Sequence, residues 1–457
     1  MLMDTDTIIA SATPAGEGGI GILRISGRNA ENLLRHFFKP IGPISSLESH
    51  RLYLGTFEDR DGNLIDEVMS VVMRAPKSYT REDVAEVHCH GGLVIMRRIM
   101  DQFIDGGARL ARPGEFTFRA FINGRLDLCK AEAVIDLIRA RSESAGRIAA
   151  AQLKGSVSRT IHEFQSEIAD LLALVEAYID FPEEDIEFAD QEQLRFSSVS
   201  IFSRIESILK NFDFGRILRE GLSVLILGKP NVGKSSLLNI LLGESRAIVT
   251  DIPGTTRDTI EENLVLSGVP LRLIDTAGVR TTNDPVESEG VFRAQNKIFS
   301  ADLVLLVIDG SRPTDSDDLL ALEFCRESKI LLVQNKADLS TVELDERFVV
   351  FPRVSVSTRT GEGIDRLKEA IVGLVHGDQA VGEVSMDTVF SDRRHREALV
   401  RCSASVQHFI DLLSEGASPE FLALDLRDAL HALGEITGET TPGDILDRIF
   451  TRFCIGK

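Results

Sequence analysis

Gly228-Lys229-Pro230-Asn231-Val232-Gly233-Lys234-Ser235-Ser236 fits the phosphate-loop pattern G-x-x-x-x-G-K-S, and its neighbours are the ones that pattern requires. An apolar run, Leu222 to Leu227, precedes it, and a helical pattern opens after it at Leu237, Leu238 and Leu241. Strand, loop and helix in that order let several backbone N–H groups converge on one concavity while the helix N-terminus adds partial positive charge. The spacing assigns Lys234 to the outer phosphates and the Ser235 hydroxyl to Mg²⁺, with Asn231, Val232, Gly233 and Ser236 completing the cradle. Working outward, the rhythm of apolar strand, loop and helix repeats between about 216 and 378. Further strands are predicted at Pro270 to Ile274, Leu303 to Ile308, Ile330 to Val333 and Phe348 to Val356. That repetition is the signature of a parallel sheet covered by helices.

A phosphate loop does not select a base. Asn335-Lys336-Ala337-Asp338 follows the strand Ile330 to Val333 and fits N-K-x-D, whose carboxylate can accept from guanine N1–H and the 2-amino group. Adenine offers neither donor, so ATP would leave that carboxylate unsatisfied, a difference on the order of 10²-fold or more. Ser357-Thr358-Arg359 would complete the base pocket. Asp275-Thr276-Ala277-Gly278 ends another strand and fits D-x-x-G, with the Asp reaching Mg²⁺ through water and the Gly amide facing the γ-phosphate. Upstream, Gly254-Thr255-Thr256-Arg257-Asp258 supplies hydroxyls that could close on metal and γ-phosphate. All of these segments fall at the C-terminal ends of predicted strands, where open α/β sheets bind ligands. GTP binding follows. The residue after D-x-x-G, where familiar small GTPases place a water-orienting Gln, is Val279, so the hydrolytic machinery must come from elsewhere. Arg280, Glu287 and Glu289 lie in the following loop, as candidates or as solvated charges.

With 457 residues, the chain is long enough for about three domains at ~150 residues each. A net charge of −20 argues against general affinity for nucleic-acid phosphate, so any RNA contact must come from a local basic patch. Such a patch could be Arg393, Arg394, His395, Arg396 and Arg401, which on a helix could equally form a solvated face. The five cysteines, Cys89, Cys129, Cys325, Cys402 and Cys454, form no C-x-x-C pair, which speaks against disulfide and zinc frameworks and fits a reducing cytoplasm. His88 and His90 would share one face of a strand, but no ligand cluster accompanies them. Acidic Asp4 and Asp6 stand where a signal peptide carries positive charge, and no apolar run approaches ~20 residues, so no membrane span is expected.

The texture divides the chain into a multidomain α/β protein. Residues 1–120 are Gly-dotted, with β-like runs at Gly21 to Ile25, Asp66 to Met73 and Asp83 to His88, as in an α+β domain. Helical spacing takes over in 121–215 (Leu128, Ala131, Val134, Ile135, Ile138, then Leu171, Leu174, Val175, Tyr178). It returns in 379–457 with Leu422, Leu426, Ala429 and Leu433, then Ile445, Ile449 and Phe453. The simplest arrangement is a P-loop, Ras-like GTPase domain at 216–378 inserted into one discontinuous helical domain.

The phosphate loop with Asn231, the switch Thr250-Asp251-Ile252-Pro253-Gly254-Thr255-Thr256-Arg257-Asp258 and the terminal Phe453-Cys454-Ile455-Gly456-Lys457 together resemble the MnmE (TrmE) family of tRNA-modifying GTPases. The resemblance extends to Ala12-Thr13-Pro14, Gly21-Ile22-Leu23-Arg24 and Arg112-Pro113-Gly114-Glu115-Phe116, and so covers essentially the whole chain. It implies an N-terminal tetrahydrofolate-binding and dimerisation domain ahead of the interrupted helical domain. It also implies that K⁺ replaces an arginine finger, held by Asn231, Thr250, Ile252 and Thr255, while Ser235 and Thr256 hold Mg²⁺. Glu287 matches the water-activating Glu. Arg24, Glu86, Arg125 and Lys457 match the site for 5-formyl- or 5,10-methylene-tetrahydrofolate, with Arg125 standing where better-known members carry Lys. Cys454 is either a small apolar residue or, near Lys457, a thiolate, and the resemblance implies a part in modification chemistry.

The implied function is a K⁺-dependent GTPase. As a homodimer joined to a flavin-dependent protein of the MnmG (GidA) family in a heterotetramer, it would add a carboxymethylaminomethyl-type group to C5 of the wobble uridine of certain tRNAs. A ribosome-assembly switch of the Era or Der type shares the Asn-bearing phosphate loop, but would add a KH-like module or a second G domain, and neither is visible. A scaffold whose GTP cycle only moves domains is the third reading.

Overall fold

The computed structural model describes residues 6–14, 16–180, 191–245, 262–274, 298, 301–376, 389–453 and 456. They form two compact units, one of residues 1–135, 152–201 and 401–457, the other of 136–151 and 202–400.

In the first unit, β1 (Ile8–Ser11), β2 (Gly18–Ser26), β3 (Phe38–Pro40), β4 (Tyr53–Glu58), β5 (Leu64–Met73), β6 (Val84–Gly91) and β7 (Arg109–Leu110) form one sheet in the order β3-β4-β5-β6-β2-β1-β7. Every pairing is antiparallel except β1 with β7. Its core draws on α1 (Ala30–Phe37) and α2 (Leu93–Asp105), where Phe37, Phe57 and Phe103 form a triangle with ring centroids 5.4 to 5.8 Å apart. The sequence reading found β2, β5 and β6; short β1, β3 and β7 carry too few residues to show a period, and β4, whose burial does alternate, was missed.

Along the chain follow α3 (Glu115–Ile122), α4 (Leu128–Arg139), α5 (Glu143–Leu153), α6 (Ser156–Asp180) and α7 (Gln191–Lys210), of which α3 and α6 belong wholly to this unit. On α6 the buried residues Val157, Ile161, Phe164, Ile168, Leu171 and Val175 alternate four and three apart, a single apolar stripe. Its partner is a helix far along the chain, Pro419–Thr437, whose stripe is Leu422, Leu426, Ala429, Leu433 and Ile436. Gln165 reaches Glu439 at 2.8 Å and Arg427 reaches Glu176 at 2.6 Å, so the two helices run antiparallel.

The Arg112-Pro113-Gly114-Glu115-Phe116 motif has a structural explanation. Gly114 has φ +70°, and a Cβ there would lie 2.4 Å from the Phe450 carbonyl, so only glycine lets the chain pass. Glu115 accepts from the Arg112 amide at 2.8 Å, from Arg109 at 2.6 and 2.8 Å and from Arg119 at 3.0 Å. Asp6 pairs with both arginines, and Glu82 adds to Arg119. Burial opposes ionisation of Glu115, but Arg109, the Arg112 amide and Arg119 outweigh it and bring its pKa from 4.5 down to about 2. A depressed carboxyl contributes stability that is complete above the unfolded pKa and disappears as pH falls through the folded one. Glu115→Gln should therefore cost about 3 kcal/mol at pH 7, with the gap to wild type closing between pH 4.5 and 2. Urea unfolding followed by circular dichroism across that range measures it; a gap independent of pH would remove the ionic account.

In the second unit, α8 (Phe212–Glu220) leads into β8 (Leu222–Leu227), α9 (Lys234–Ser245), β9 (Glu262–Leu266), β10 (Val269–Ile274), β11 (Leu303–Asp309), α10 (Ser316–Cys325), β12 (Ile330–Asn335), α11 (Glu346–Val349), β13 (Arg353–Ser355) and α12 (Ile364–His376). The sheet order is β13-β12-β11-β8-β10-β9. All seven residues of β11 are buried, with Leu305 and Val307 in one core and Val304, Leu306 and Ile308 in the other, as expected of a strand covered on both faces. Arg219 joins distant segments of this unit, 2.9 Å from both Asp136 and Asp392.

The predicted strands pair in parallel, and the sheet gains one that was not read: β9 runs antiparallel to β10 through a two-residue turn at Ser267 (φ +49°) and Gly268 (φ +84°), the geometry of a tight hairpin. One expectation is corrected: Phe348 to Val356 is not one strand. Asp345 caps α11 by accepting from the Arg347 amide, Phe348 is buried as a helical residue, and Pro352 has no N–H for a ladder, so β13 begins only at Arg353.

The chain closes with α13 (Arg393–Glu415), α14 (Pro419–Thr437) and α15 (Gly443–Phe450). Phe450 and Phe453 pack with Leu128, Ala131, Phe118 and Phe121. In the basic cluster, Arg401 is held by Glu435 at 2.6 and 3.0 Å, Arg396 lies over the Phe212 ring, and His395 is buried. No described helix is long and apolar enough to cross a membrane.

Candidate nucleotide-binding site

β8 lies between β11 and β10, so the chain crosses to opposite sides of the loop that follows it, which puts residues 228–233 at a topological switch point. Gly228 (φ +147°), Asn231 (φ +65°) and Gly233 (φ +102°) all have left-handed backbones, which curls the loop around its own amides. A Cβ on Gly228 would lie 2.3 Å from the Val307 carbonyl, and one on Gly233 would lie 2.1 Å from Asn335 Nδ2. Among residues other than glycine, Asn is one of those that best tolerate this backbone, and the Asn231 side chain is exposed. Val232 is buried beneath the loop; Ser235 and Ser236 are exposed at the start of α9. Lys234 donates to the Gly228 and Lys229 carbonyls, both at 2.7 Å, and burial lowers its pKa. Its ammonium is thus desolvated and held over the mouth of the cradle.

The N-K-x-D segment meets the phosphate loop directly. Asn335 donates to the Val232 carbonyl at 2.7 Å and to Thr358 Oγ1 at 3.2 Å, and accepts from the Thr358 amide at 3.0 Å. One buried side chain therefore joins all three segments. Ala337 is anchored by its amide to the Val356 carbonyl at 3.0 Å. Ser357 donates to Asp338 Oδ1 at 2.7 Å, and the exposed Arg359 lies 4.0 Å from Oδ2, so the carboxylate is oriented with capacity to accept more. Lys336 pairs with Asp309 at 2.6 Å. Burial works against ionising Asp309, yet Lys336 and Ser311 hold its pKa at about 2.

Sequence reasoning missed two supports of this site. Asp309 is one. The other is the pair Asp315 and Asp318, whose carboxylates hold Lys229 at 2.6 and 2.8 Å while capping α10. The D-x-x-D spacing of a capping box was readable; that it would grip the phosphate loop was not. Thr250, Asp251, Ile252, Pro253, Gly254, Thr255, Thr256, Asp275, Thr276, Ala277, Gly278 and Glu287 lie outside the described residues.

A second cluster occurs in the sheet of the first unit. Arg24 and Glu86 are register partners on β2 and β6 and form a 2.8 Å ion pair. Arg125 donates to the Tyr79 carbonyl at 2.7 Å with its guanidinium 4.7 Å from the ring centre, while Arg24 approaches the same ring to 5.5 Å. Burial disfavours the Glu86 carboxylate, but His88 and Arg24 outweigh it and lower its pKa. Two predicted residues, Arg24 and Arg125, thus converge on Tyr79, and Glu86 joins them through Arg24; the sequence reading overlooked this tyrosine although the chain has only three. Gly456 brings the C-terminal segment against β1: a Cβ there would lie 2.0 Å from the Ser11 carbonyl. Cys454 and Lys457 lie outside the described residues. His88 and His90 pair with Glu86 and Asp66, and no metal-type cluster occurs among the described residues. Cys89 is buried, which raises its pKa to about 11.

Residues 7–125 match the family described as GTP-binding protein TrmE N-terminus, and residues 128–454 match the MnmE helical domain. Among curated proteins, a tRNA modification GTPase MnmE from Syntrophotalea carbinolica is 59% identical over 456 residues, covering 100% of both chains. One of the same name from Geobacter sulfurreducens is 52% identical over 455 residues and 99% of both. Among solved structures, the G domain of the T. maritima FeoB iron transporter is 29% identical, covering 33% of this chain and 96% of its own with a TM-score of 0.25. With its N-terminal and helical portions both matched, and its full length shared with such relatives, the chain belongs to the MnmE (TrmE) family.

Proposed function

We propose that this protein is a GTP hydrolase acting in the modification of the tRNA wobble uridine. The observation that carries the reading is the Asn335 side chain, which joins the phosphate loop to the guanine-reading segment and makes one continuous nucleotide site. Lys234 would exchange the loop carbonyls for phosphate oxygens when GTP enters, Asp338 would accept from the guanine edge, and Thr358 and Arg359 would border it.

Mg²⁺ would be held by Ser235 and Thr256, and K⁺ by Asn231, Thr250, Ile252 and Thr255. These hard oxygen donors suit both ions, and the exposed Asn231 carboxamide at a left-handed position fits such a role. Bound there, the ions would supply positive charge against the negative charge that develops on the bridging oxygen, the electrostatic contribution that usually dominates phosphoryl transfer. Glu287 is assigned to orient and deprotonate the attacking water.

Arg24, Glu86, Arg125 and Lys457 are assigned to a tetrahydrofolate derivative, 5-formyl- or 5,10-methylene-tetrahydrofolate. Two guanidinium groups flanking an aromatic ring, with a carboxylate beside them, suit a flat, acidic ligand of this kind. Cys454 is assigned to the modification step. The partners would be a second copy of the chain, a flavin-dependent protein of the MnmG (GidA) family in a heterotetramer, and tRNA, in the cytoplasm. The carboxymethylaminomethyl-type group at C5 would take its one-carbon unit from the folate.

Purified protein with that partner, tRNA, GTP and labelled methylene-tetrahydrofolate should place label in the tRNA in KCl and far less in NaCl of equal ionic strength. Unlabelled tRNA in both salts would overturn the one-carbon role; equal labelling would overturn the K⁺ assignment.

A further inference from the structure

Asp309 ends β11 and Asn335 ends β12, and the two are register partners in adjacent parallel strands. One residue later, Lys336 turns through a left-handed backbone (φ +66°) and sends its ammonium back across the strand ends to Asp309 Oδ2, 2.6 Å away. The other carboxylate oxygen accepts from the Ser311 amide at 3.0 Å and the Ser311 hydroxyl at 2.6 Å. Between them, the Gly310 amide donates to the Asn335 carbonyl at 2.8 Å, so the backbone beneath Lys336 is fixed as well. Asp309 is 8% exposed and Lys336 is half-buried, so this pair is shielded from solvent more than an ordinary surface ion pair. The N-K-x-D pattern accounts for Asn335 and Asp338 but says nothing of what holds the lysine between them.

We propose that Asp309 is a positioning residue of the guanine pocket, holding the Lys336 ammonium so that the lysine stem is a preset wall of the base site. The proposal rests on the guanine reading above. A lysine stem free in solution has many rotamers, and ordering it only when nucleotide arrives would weaken binding. The ion pair with Asp309 orders it beforehand. Asp309 touches neither base nor phosphate in this role; it acts through Lys336.

Asp309→Asn keeps the size of the side chain and an oxygen for Ser311 but removes the negative charge. It should weaken GTP and GDP binding together by about 10-fold, chiefly through faster dissociation, and raise the KM for GTP while kcat stays within about twofold. Stopped-flow release of a fluorescent GDP analogue and steady-state hydrolysis by the full chain read both. A change in kcat with KM unaltered would overturn the proposal. A double-mutant cycle separates action through the lysine from a general loss of structure: in a Lys336→Met background, Asp309→Asn should have little further effect on GDP release. Effects that simply multiply would overturn it. Wild-type protein that binds ADP as tightly as GDP would sink the guanine reading itself, whereas a guanine-selective wild type with an unchanged Asp309→Asn variant would sink only this proposal.

Discussion

Asp338→Asn is expected to weaken GTP binding by about 10²-fold or more and to create affinity for xanthosine triphosphate. Ser357 donates to Asp338 Oδ1, and the same hydroxyl would hold the amide oxygen of an Asn there, turning its NH₂ toward the base. Guanine would then bring its 2-amino donor against another donor, whereas xanthine brings a carbonyl at that position. The loss for GTP is large because the bound base would cover this side chain, and a polar group so covered and left facing the wrong partner costs its full desolvation. Equilibrium titration with both nucleotides checks the result. An Asp338→Asn variant that still prefers GTP would mean that base selection resides elsewhere, and the site built around Asn335 would lose its specificity argument.

Glu287→Ala should lower GTP turnover by about 10²-fold or more with nucleotide affinity nearly unchanged, as loss of a positioned base does. Val279 provides no group to orient water, so the charge must come from another position. Single-turnover hydrolysis beside an equilibrium binding measurement separates the two quantities. Weakened binding with normal turnover would assign Glu287 to holding the switch loop.

The α/β unit was legible because its central strands, Leu222 to Leu227, Leu303 to Ile308 and Ile330 to Val333, are apolar but for Ser223, and burial on both faces produces such runs. The edges read less well. β9 alternates half-buried and buried residues, and its real signal was the Ser267-Gly268 turn rather than the run itself. The phosphate loop and N-K-x-D announce themselves by spacing, whereas Asp309 gains its meaning only when β11 and β12 come into register. Tyr79 is similar: nothing near it in sequence indicates that Arg24 and Arg125, 55 and 46 residues away, will approach its ring. Contacts made across long chain separations leave no periodic trace.

The pairing of α6 with α14 has a consequence for biosynthesis. α6 ends at Asp180 and α14 begins at Pro419, so 419 − 180 = 239 positions separate the two apolar stripes. At roughly 5–20 residues per second of synthesis, the α6 stripe emerges from the ribosome some 10–50 s before its partner exists. During that interval Val157, Ile161, Phe164 and Ile168 present a bare hydrophobic ridge, while strands β8 to β13 can already pair into their own sheet. Nascent chains of this protein should therefore be clients of the chaperones that shelter such ridges until the last helices arrive.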